Sequence, residues 1–194
     1  MYDYFSGKLA FKAPTHVILE TGGIGYHIHI SLTTFSSIKD QEHCKLYVSF
    51  QVREDSQTLY GFATEAERQL FNHLISVSGI GPNTGRMMLS SITPEEIQSA
   101  IINGQVQVIQ KIKGIGPKSA QRVILELQDK LKKQGPDALI PVTNTKQSTS
   151  GEALSALLML GFTKQQVDKV LGTLVLANPD QTVEELIKMA LKRL

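Results

Sequence analysis

The 194-residue chain contains one cysteine, Cys44, so it can close no internal disulfide and offers no Cys-rich zinc site. No window approaches the ~18–20 unbroken apolar residues that a membrane span requires. The N-terminal MYDYFSGKLAF lacks a basic region followed by a long apolar stretch, so the expectation is a cytoplasmic protein without a signal peptide. No Gly-x-x-x-x-Gly-Lys occurs, and the chain therefore carries no P-loop of its own. Net charge is scarce as well: at +2 it names no partner.

Distribution of charge says more than its total. Residues 1–63 carry five basic and six acidic side chains, and residues 151–194 carry five of each. Between Lys111 and Lys133 seven basic residues stand against Glu126 and Asp129 alone. Such a local patch reads as a phosphate-facing surface, with a solvated helix face as the competing reading.

The segments KLAFKA, THVILET, GYHIHISL and CKLYVSFQV are short and rich in β-branched and aromatic residues. Gly7, Pro14, Gly22-Gly23 and the polar run Lys39-Asp40-Gln41-Glu42 separate them. Residues 1–63 therefore read as strands. So many short strands suggest a small barrel or sandwich, of which the OB-fold is the five-stranded example that binds nucleic acid. In GYHIHI, Tyr26, Ile28 and Ile30 point one way and His27 and His29 the other. Two such histidines could reach a metal ion, but no third ligand is evident nearby, and an exposed polar face is the expectation.

From residue 64 to 133 the spacing becomes helical. Thr64-x-x-Glu67 reads as a capping box, followed by Leu70, Phe71, Leu74 and Ile75 on one face. Thr93-Pro94-Glu95-Glu96 opens another helix, and Lys118 to Lys133 form a long amphipathic one. Residues 134–150, with two prolines and many Ser, Thr, Asn and Gln, read as a flexible linker. Residues 151–194 read as a three-helix bundle with capping boxes at Thr149-x-x-Glu152, Thr163-x-x-Gln166 and Thr182-x-x-Glu185. Gly161 and Asn178-Pro179 punctuate it. Leu154, Leu157, Leu158, Val167, Val170, Leu171, Leu174, Leu186, Ile187 and Leu191 are its candidate core, small but feasible.

The tetrapeptide GIGP occurs twice, at Gly79–Pro82 and Gly114–Pro117, each time between two helical stretches. In the second copy Gly114 and Gly116 permit backbone angles that side chains oppose, and Ile115 can plug into the core. Pro117 suits the first turn of the next helix, where its missing N–H costs nothing. Beyond it the N–H groups of Lys118 and Ser119 have no intrahelical partner. The bare turn, the helix dipole, Lys118 and Arg122 together suit a backbone phosphate read without base contacts. The first copy repeats the frame with Gly79, Ile80, Gly81, Asn83, Thr84 and Arg86. A dinucleotide fingerprint is rejected, since these turns join helix to helix and the glycine spacing is wrong.

This pattern resembles the helix-hairpin-helix motif, a sequence-nonspecific DNA-binding element whose paired copies grip two phosphates of one duplex. The whole chain, in order, resembles the RuvA family, the Holliday junction branch-migration subunits of bacteria, and VRED…LYGF is the most specific stretch. The resemblance implies a multidomain α+β protein. It places an OB-like barrel for oligomerisation and junction contact at 1–63, and a tandem helix-hairpin-helix domain at 64–133. A linker at 134–150 leads to a mobile, UBA-like three-helix domain at 151–194.

The resemblance further implies a homotetramer, or two tetramers face to face on a four-way junction, partnered by the hexameric RuvB ATPase and the RuvC resolvase. It implies no catalytic centre, no metal and no cofactor. The expected phosphate-binding set is Gly79, Gly81, Asn83, Thr84, Arg86, Gly114, Gly116, Lys118, Ser119 and Arg122. Glu54 and Asp55 are expected to form an acidic pin at the tetramer centre. The nearly continuous apolar run Leu157, Leu158, Met159, Leu160 and Phe162 exceeds one stripe per helix, so some of it must pack inside while the remainder is available for a protein partner, with an all-core run as the competing reading. From it Leu157, Leu158, Leu160, Gly161 and Phe162 are expected to bind RuvB. Two positions depart from the family pattern: Asn83 and Pro117 stand where lysine is common, which implies weaker electrostatics but intact backbone donors.

Two alternatives remain at this stage. A nuclease or glycosylase could use a helix-hairpin-helix with Glu54 and Asp55 on Mg²⁺, although neighbours on a strand face opposite ways and no third acid lies nearby, or Lys118 or Lys130 as the catalytic lysine of a lyase. An interaction scaffold without DNA would use the C-terminal bundle alone.

Overall fold

The computed structural model describes residues 2–134, 149–177 and 181–194, which fall into two compact units, one carrying the described residues up to 134 and the other those from 149. In the first unit β1 (Tyr4–Ala13), β2 (His16–Thr21), β3 (Ile24–Ile30), β4 (His43–Val52) and β5 (Gln57–Phe62) close a barrel in the order β1-β2-β3-β5-β4. Neighbours are antiparallel except β3 and β5, which run parallel. Alternation turns Val17, Leu19, Ile28, Ile30, Leu46 and Val48 inward into one buried cluster. Each such side chain contributes roughly 1.5–3 kcal/mol on burial, which holds the sheet curled on itself.

The barrel matches the expected OB-like fold, with three differences in detail. Gly7 does not separate strands. It lies inside β1, where the Glu20 carbonyl passes so close that any Cβ would overlap it. QTLYGF supplies a fifth strand, β5, beyond the four segments read from sequence. The run LTTFSSI, within the region read as strands, forms the short helix α1 (Leu32–Ile38). Ser31 caps it, the hydroxyl accepting from the Thr34 N–H at 2.9 Å.

The helices α2 (Glu65–Ser76), α3 (Pro82–Ser91), α4 (Pro94–Ile102), α5 (Val106–Gln110) and α6 (Pro117–Gln134) complete the first unit. Leu70, Phe71, Leu74, Met88, Leu89, Ile97, Ile101, Ile109, Val123 and Leu127 form a second core between them. The barrel shares this core: the rings of Tyr60 and Phe62 on β5 lie 5.2 and 4.8 Å from Phe71 on α2. Thr93 caps α4, and Glu96 reciprocates by accepting from the Thr93 N–H.

At α2 the expected capping box is only half present. Thr64 Oγ1 accepts from the Glu67 N–H at 3.1 Å, but the Glu67 carboxylate turns to other donors. It accepts from the Ala63 N–H at 3.2 Å, the Ser31 hydroxyl at 2.6 Å and the Thr34 hydroxyl at 2.8 Å. Glu67 is buried, and burial raises its pKa against the pull of these donors, with Glu95 adding to the rise. Beside it Arg68 pairs with Asp3 at 2.6 Å and Glu65 at 2.8 Å. The first unit thus fixes α2, and the GIGP turn at its end, against the barrel.

The second unit packs α7 (Thr149–Met159), α8 (Lys164–Ala177) and α9 (Val183–Leu191) around Leu157, Val167, Leu171, Leu174 and Leu186. Leu154, Val170 and Ile187 are partly buried against that cluster. Leu158 and Leu191, expected in the core, are exposed. Thr182 and Glu185 form the expected reciprocal cap, whereas Thr149 lies inside α7 rather than ahead of it. The Thr163 hydroxyl donates to the Gln166 side-chain oxygen at 2.7 Å. Residues 135–148, most of the linker read at 134–150, lie outside the described residues, as does Asn178-Pro179. Among the described residues no helix is long and apolar enough to cross a membrane.

Candidate nucleic-acid interface

The two GIGP turns share one hydrogen-bond frame. In the first, the Ile80 N–H donates to the Val77 carbonyl at 3.0 Å and the Gly85 N–H to the Gly81 carbonyl at 2.9 Å. In the second, Ile115 donates to Ile112 at 3.1 Å and Ala120 to Gly116 at 2.9 Å. Ile80 and Ile115 are both buried in the helical core, as plugs should be. Gly79 and Gly114 adopt φ values of 91° and 90°, where a Cβ is penalised. The second glycine serves a different end from the one read in sequence. Gly81 has φ −83°, open to any residue, and Gly116 is not among the positive-φ glycines. Nothing lies within 4 Å of where a Cβ on either would stand. What Gly81 and Gly116 supply is bare backbone at an open surface.

The first intrahelical bonds of α3 and α6 begin at the Gly85 and Ala120 N–H groups. The N–H groups of Asn83, Thr84, Lys118 and Ser119 therefore precede any intrahelical acceptor. Asn83 and Lys118 are exposed, and Thr84 and Ser119 are half-buried. Each turn thus combines free donors, the positive end of a helix dipole and a bare approach, which together suit an anion.

The arginines of the expected set build this surface as well as charging it. Arg86 Nη1 donates to the Thr15 carbonyl at 2.9 Å, in the turn between β1 and β2. Arg122 Nη1 donates to the Ser78 carbonyl at 3.1 Å, just ahead of the first GIGP, and its Nε lies 3.9 Å from Glu126. Arg122 therefore joins the second hairpin to the first. Asn83 Oδ1 accepts from the Tyr60 hydroxyl at 3.4 Å and ties the first turn to the barrel. Lys111, Lys113 and Lys118 stand exposed around the second turn.

Glu54 and Asp55 are exposed at the tip that joins β4 to β5. The Arg53 N–H closes that tip on the Ser56 carbonyl at 2.8 Å, and the Ser56 hydroxyl donates to Asp55 Oδ1 at 3.3 Å. They sit on a turn and not on a strand, so strand alternation does not set their two side chains on opposite faces. Between this tip and the first GIGP lies a groove of about 190 Å³ lined by Gln51, Arg53, Ser56, Thr58, Tyr60, Gly81, Pro82 and Asn83. Arg53 and Tyr60 are absent from the residues selected by sequence, although both lie in VREDSQTLYGF. Only the strand register, with Val52 opposite Gln57 and Ser49 opposite Tyr60, brings them beside the turn. Burial raises the Tyr60 pKa, and Arg86 and Arg53 pull it the other way.

In the second unit Leu157 is fully buried and supports the bundle from within, which removes it from any docking surface. Leu158, Leu160 and Met159 are 39%, 59% and 90% exposed, and Phe162 is partly buried against the core. Gly161, at φ 96°, turns the chain between them and α8. Met159, left out of the expected docking set, is the most exposed of this run. Among the described residues no three His, Cys, Asp or Glu side chains come together in a way that could hold a metal ion. Cys44 is buried, and burial raises its thiol pKa to about 11 against the pull of Lys12.

Three family models match the chain in order. Residues 1–61 match the RuvA N terminal domain, residues 71–129 a SAM-like helix-hairpin-helix tandem, and residues 148–194 the RuvA C-terminal domain. The chain is 51% identical to the Holliday junction branch migration complex subunit RuvA of Christiangramia forsetii, over 100% of both chains. It is 48% identical to that of Cytophaga hutchinsonii over 99% of both, and 45% identical to that of Flavobacterium psychrophilum over 100% of both.

Proposed function

Because this chain belongs to the RuvA family of Holliday junction branch migration complex subunits, we propose that it binds four-way DNA junctions and recruits a RuvB ATPase to them. The observation that carries the DNA reading is the shared frame of the two GIGP turns, each opening a helix behind bare backbone. Paired turns of this kind grip two phosphates of a duplex without reading its bases. Gly79, Gly81, Asn83, Thr84 and Arg86 form one grip, and Gly114, Gly116, Lys118, Ser119 and Arg122 the other.

In this reading residues 1–63 assemble a homotetramer, alone or face to face as an octamer, and place the hairpins of four subunits on four DNA arms. Glu54 and Asp55, exposed at their tip, meet at the centre. Their negative charge repels phosphates there and holds the junction open while strands separate. Residues 151–194, joined through 134–150, carry the RuvB docking face on Leu158, Met159, Leu160, Gly161 and Phe162. ATP hydrolysis belongs to RuvB and resolution to RuvC; this subunit recognises and positions the DNA.

An electrophoretic shift with four-way junction against linear duplex tests the proposal. Strong junction preference and no cleavage with Mg²⁺ is the expected result. Cleavage, or equal affinity for duplex, would favour a repair enzyme or a general DNA binder. A chain truncated at Ser150 should still bind junctions but no longer support RuvB- and ATP-driven branch migration. If it does support migration, docking lies elsewhere.

A further inference from the structure

A row of rings crosses the outer face of the barrel beside the first hairpin. Phe11 on β1 stacks on His16 of β2 with centroids 5.3 Å apart, and His16 stacks on His27 of β3 at 4.6 Å and 25°. His27 meets His29 edge-on at 4.9 Å, and His29 lies 5.8 Å from Tyr60 on β5. The register makes the row: His16 pairs with His29, which puts His27 on the diagonal within ring contact. The row ends against the hairpin. Arg86 of α3 bonds the Thr15 carbonyl one residue before His16, and Tyr60 bonds Asn83 in the turn.

These groups form a basic cluster in which no acidic side chain acts on His29 or Tyr60. Burial first, then Arg86, His27 and His16, holds the His29 imidazole below its usual range, and every charge acting on it is basic. The basic charge acting on His29 comes from His16 on β2, His27 on β3 and Arg86 on α3, while the Phe11 ring on β1 and the Tyr60 phenol on β5 flank the row. The charges acting on Tyr60 are likewise only Arg86 and Arg53. Arg86 Nε is buried and has no acceptor. Rings packed face to face and edge to face do not converge their nitrogens, and the cluster is not one that could hold a metal ion.

We propose that His16, His27, His29 and Arg86 form a proton-gated seat for a nucleic-acid backbone phosphate, extending the grip of the first hairpin onto the barrel. The inference rests on the reading of the hairpins as phosphate grips. The first turn has Asn83 where the second has Lys118. The imidazole row can supply charge there by taking up protons. Since the bound phosphate favours the protonated row, linkage requires affinity to rise as pH falls through the histidine range.

The test is junction binding by the full chain at pH 8 and pH 6, at fixed ionic strength with EDTA, for wild type, His16→Gln/His27→Gln and His27→Lys. Wild type should gain about tenfold in affinity at pH 6 beyond any gain by the double variant, the signature of roughly one proton taken up. His27→Lys should hold much of that gain already at pH 8 and show a shallower pH slope. Melting temperatures at pH 8 check that the variants, altered on the outer barrel face, are folded. A double variant with the wild-type pH slope overturns the seat and leaves the hairpin reading intact, because Lys118→Ala at pH 8 tests that reading separately. A wild type that binds no junction at either pH overturns both.

Discussion

The two GIGP turns have the same backbone and opposite surroundings. The second is flanked by the exposed Lys111, Lys113 and Lys118 and tied to the first through Arg122. The first carries no lysine and is held to the barrel through Asn83–Tyr60, Arg86–Thr15 and the Glu67 and Arg68 ties of α2. In the proposed reading one device obtains its affinity in two ways, and the second turn does so by charge that salt can screen. The first holds its donors in a fixed place relative to the barrel and the acidic tip. The division suits a junction binder, in which one grip must be strong and the other must be accurately placed with respect to the junction centre.

The sharpest way to break the comparison is to block one bare glycine. Gly116→Val fills open space and needs no unusual φ, so the fold should keep its melting temperature. Excluding the phosphate from two charge-assisted donors should cost about 3 kcal/mol, on the order of hundredfold in junction affinity. A band shift paired with a melting curve reads both, and unchanged affinity would remove the second turn from the DNA surface. Next comes the exchange of charge. Lys118→Ala should lower the salt slope of binding by about one, and Asn83→Lys should raise it by about one, turning the first grip into a copy of the second. Equal slopes in titrations from low to high salt would sink the assignment of these residues to phosphates.

A smaller effect is expected at the acidic tip. Glu54→Gln with Asp55→Asn should keep or strengthen DNA binding by a few-fold, and most for plain duplex, since removing repulsion relaxes the preference for junctions. Competition between the two DNAs measures it, and loss of all binding would indicate a structural or metal role instead. The smallest effect is on stability. Burial raises the folded-state pKa of Glu67 above the ordinary carboxylate value, so the native state holds the proton longer than the unfolded chain. Stability should then fall as pH rises from the ordinary carboxylate range through the raised value, and be flat above it. Glu67→Gln should abolish that slope. Hydrogen exchange should show the change in α2 and at the first turn, with α6 unaffected; an equal change at both turns would contradict the separate anchoring described above.

Much of this was legible in the residues because it depends on local chemistry. The GIGP turns, the caps at Thr93 and Thr182, and the alternation of Ile28 and Ile30 against His27 and His29 all follow from short-range rules. The misreadings share a cause. Gly7 looked like a strand boundary because the Glu20 backbone that demands it is distant in sequence. Glu67 looked like a plain capping residue because Ser31 and Thr34, which draw it away, come from the end of β3 and α1. Leu157 and Leu158 are equivalent as letters, and only the packing of α7 on its neighbours buries one and exposes the other.

By itself the sequence determined which segments could be strand or helix, that two helix pairs end in the same bare turn, and that one carries lysine and the other asparagine. Those outcomes rest on backbone sterics, capping and periodicity, which act over a few residues. Tertiary structure alone decided that Arg86 and Arg122 bind carbonyls of neighbouring elements, and that Arg53 and Tyr60 border the first turn. It alone decided, too, that three histidines from two strands meet in one row. Each of these depends on strand register and on the docking of α2 and α3 against the barrel, where one residue of slip would send every side chain to the other face.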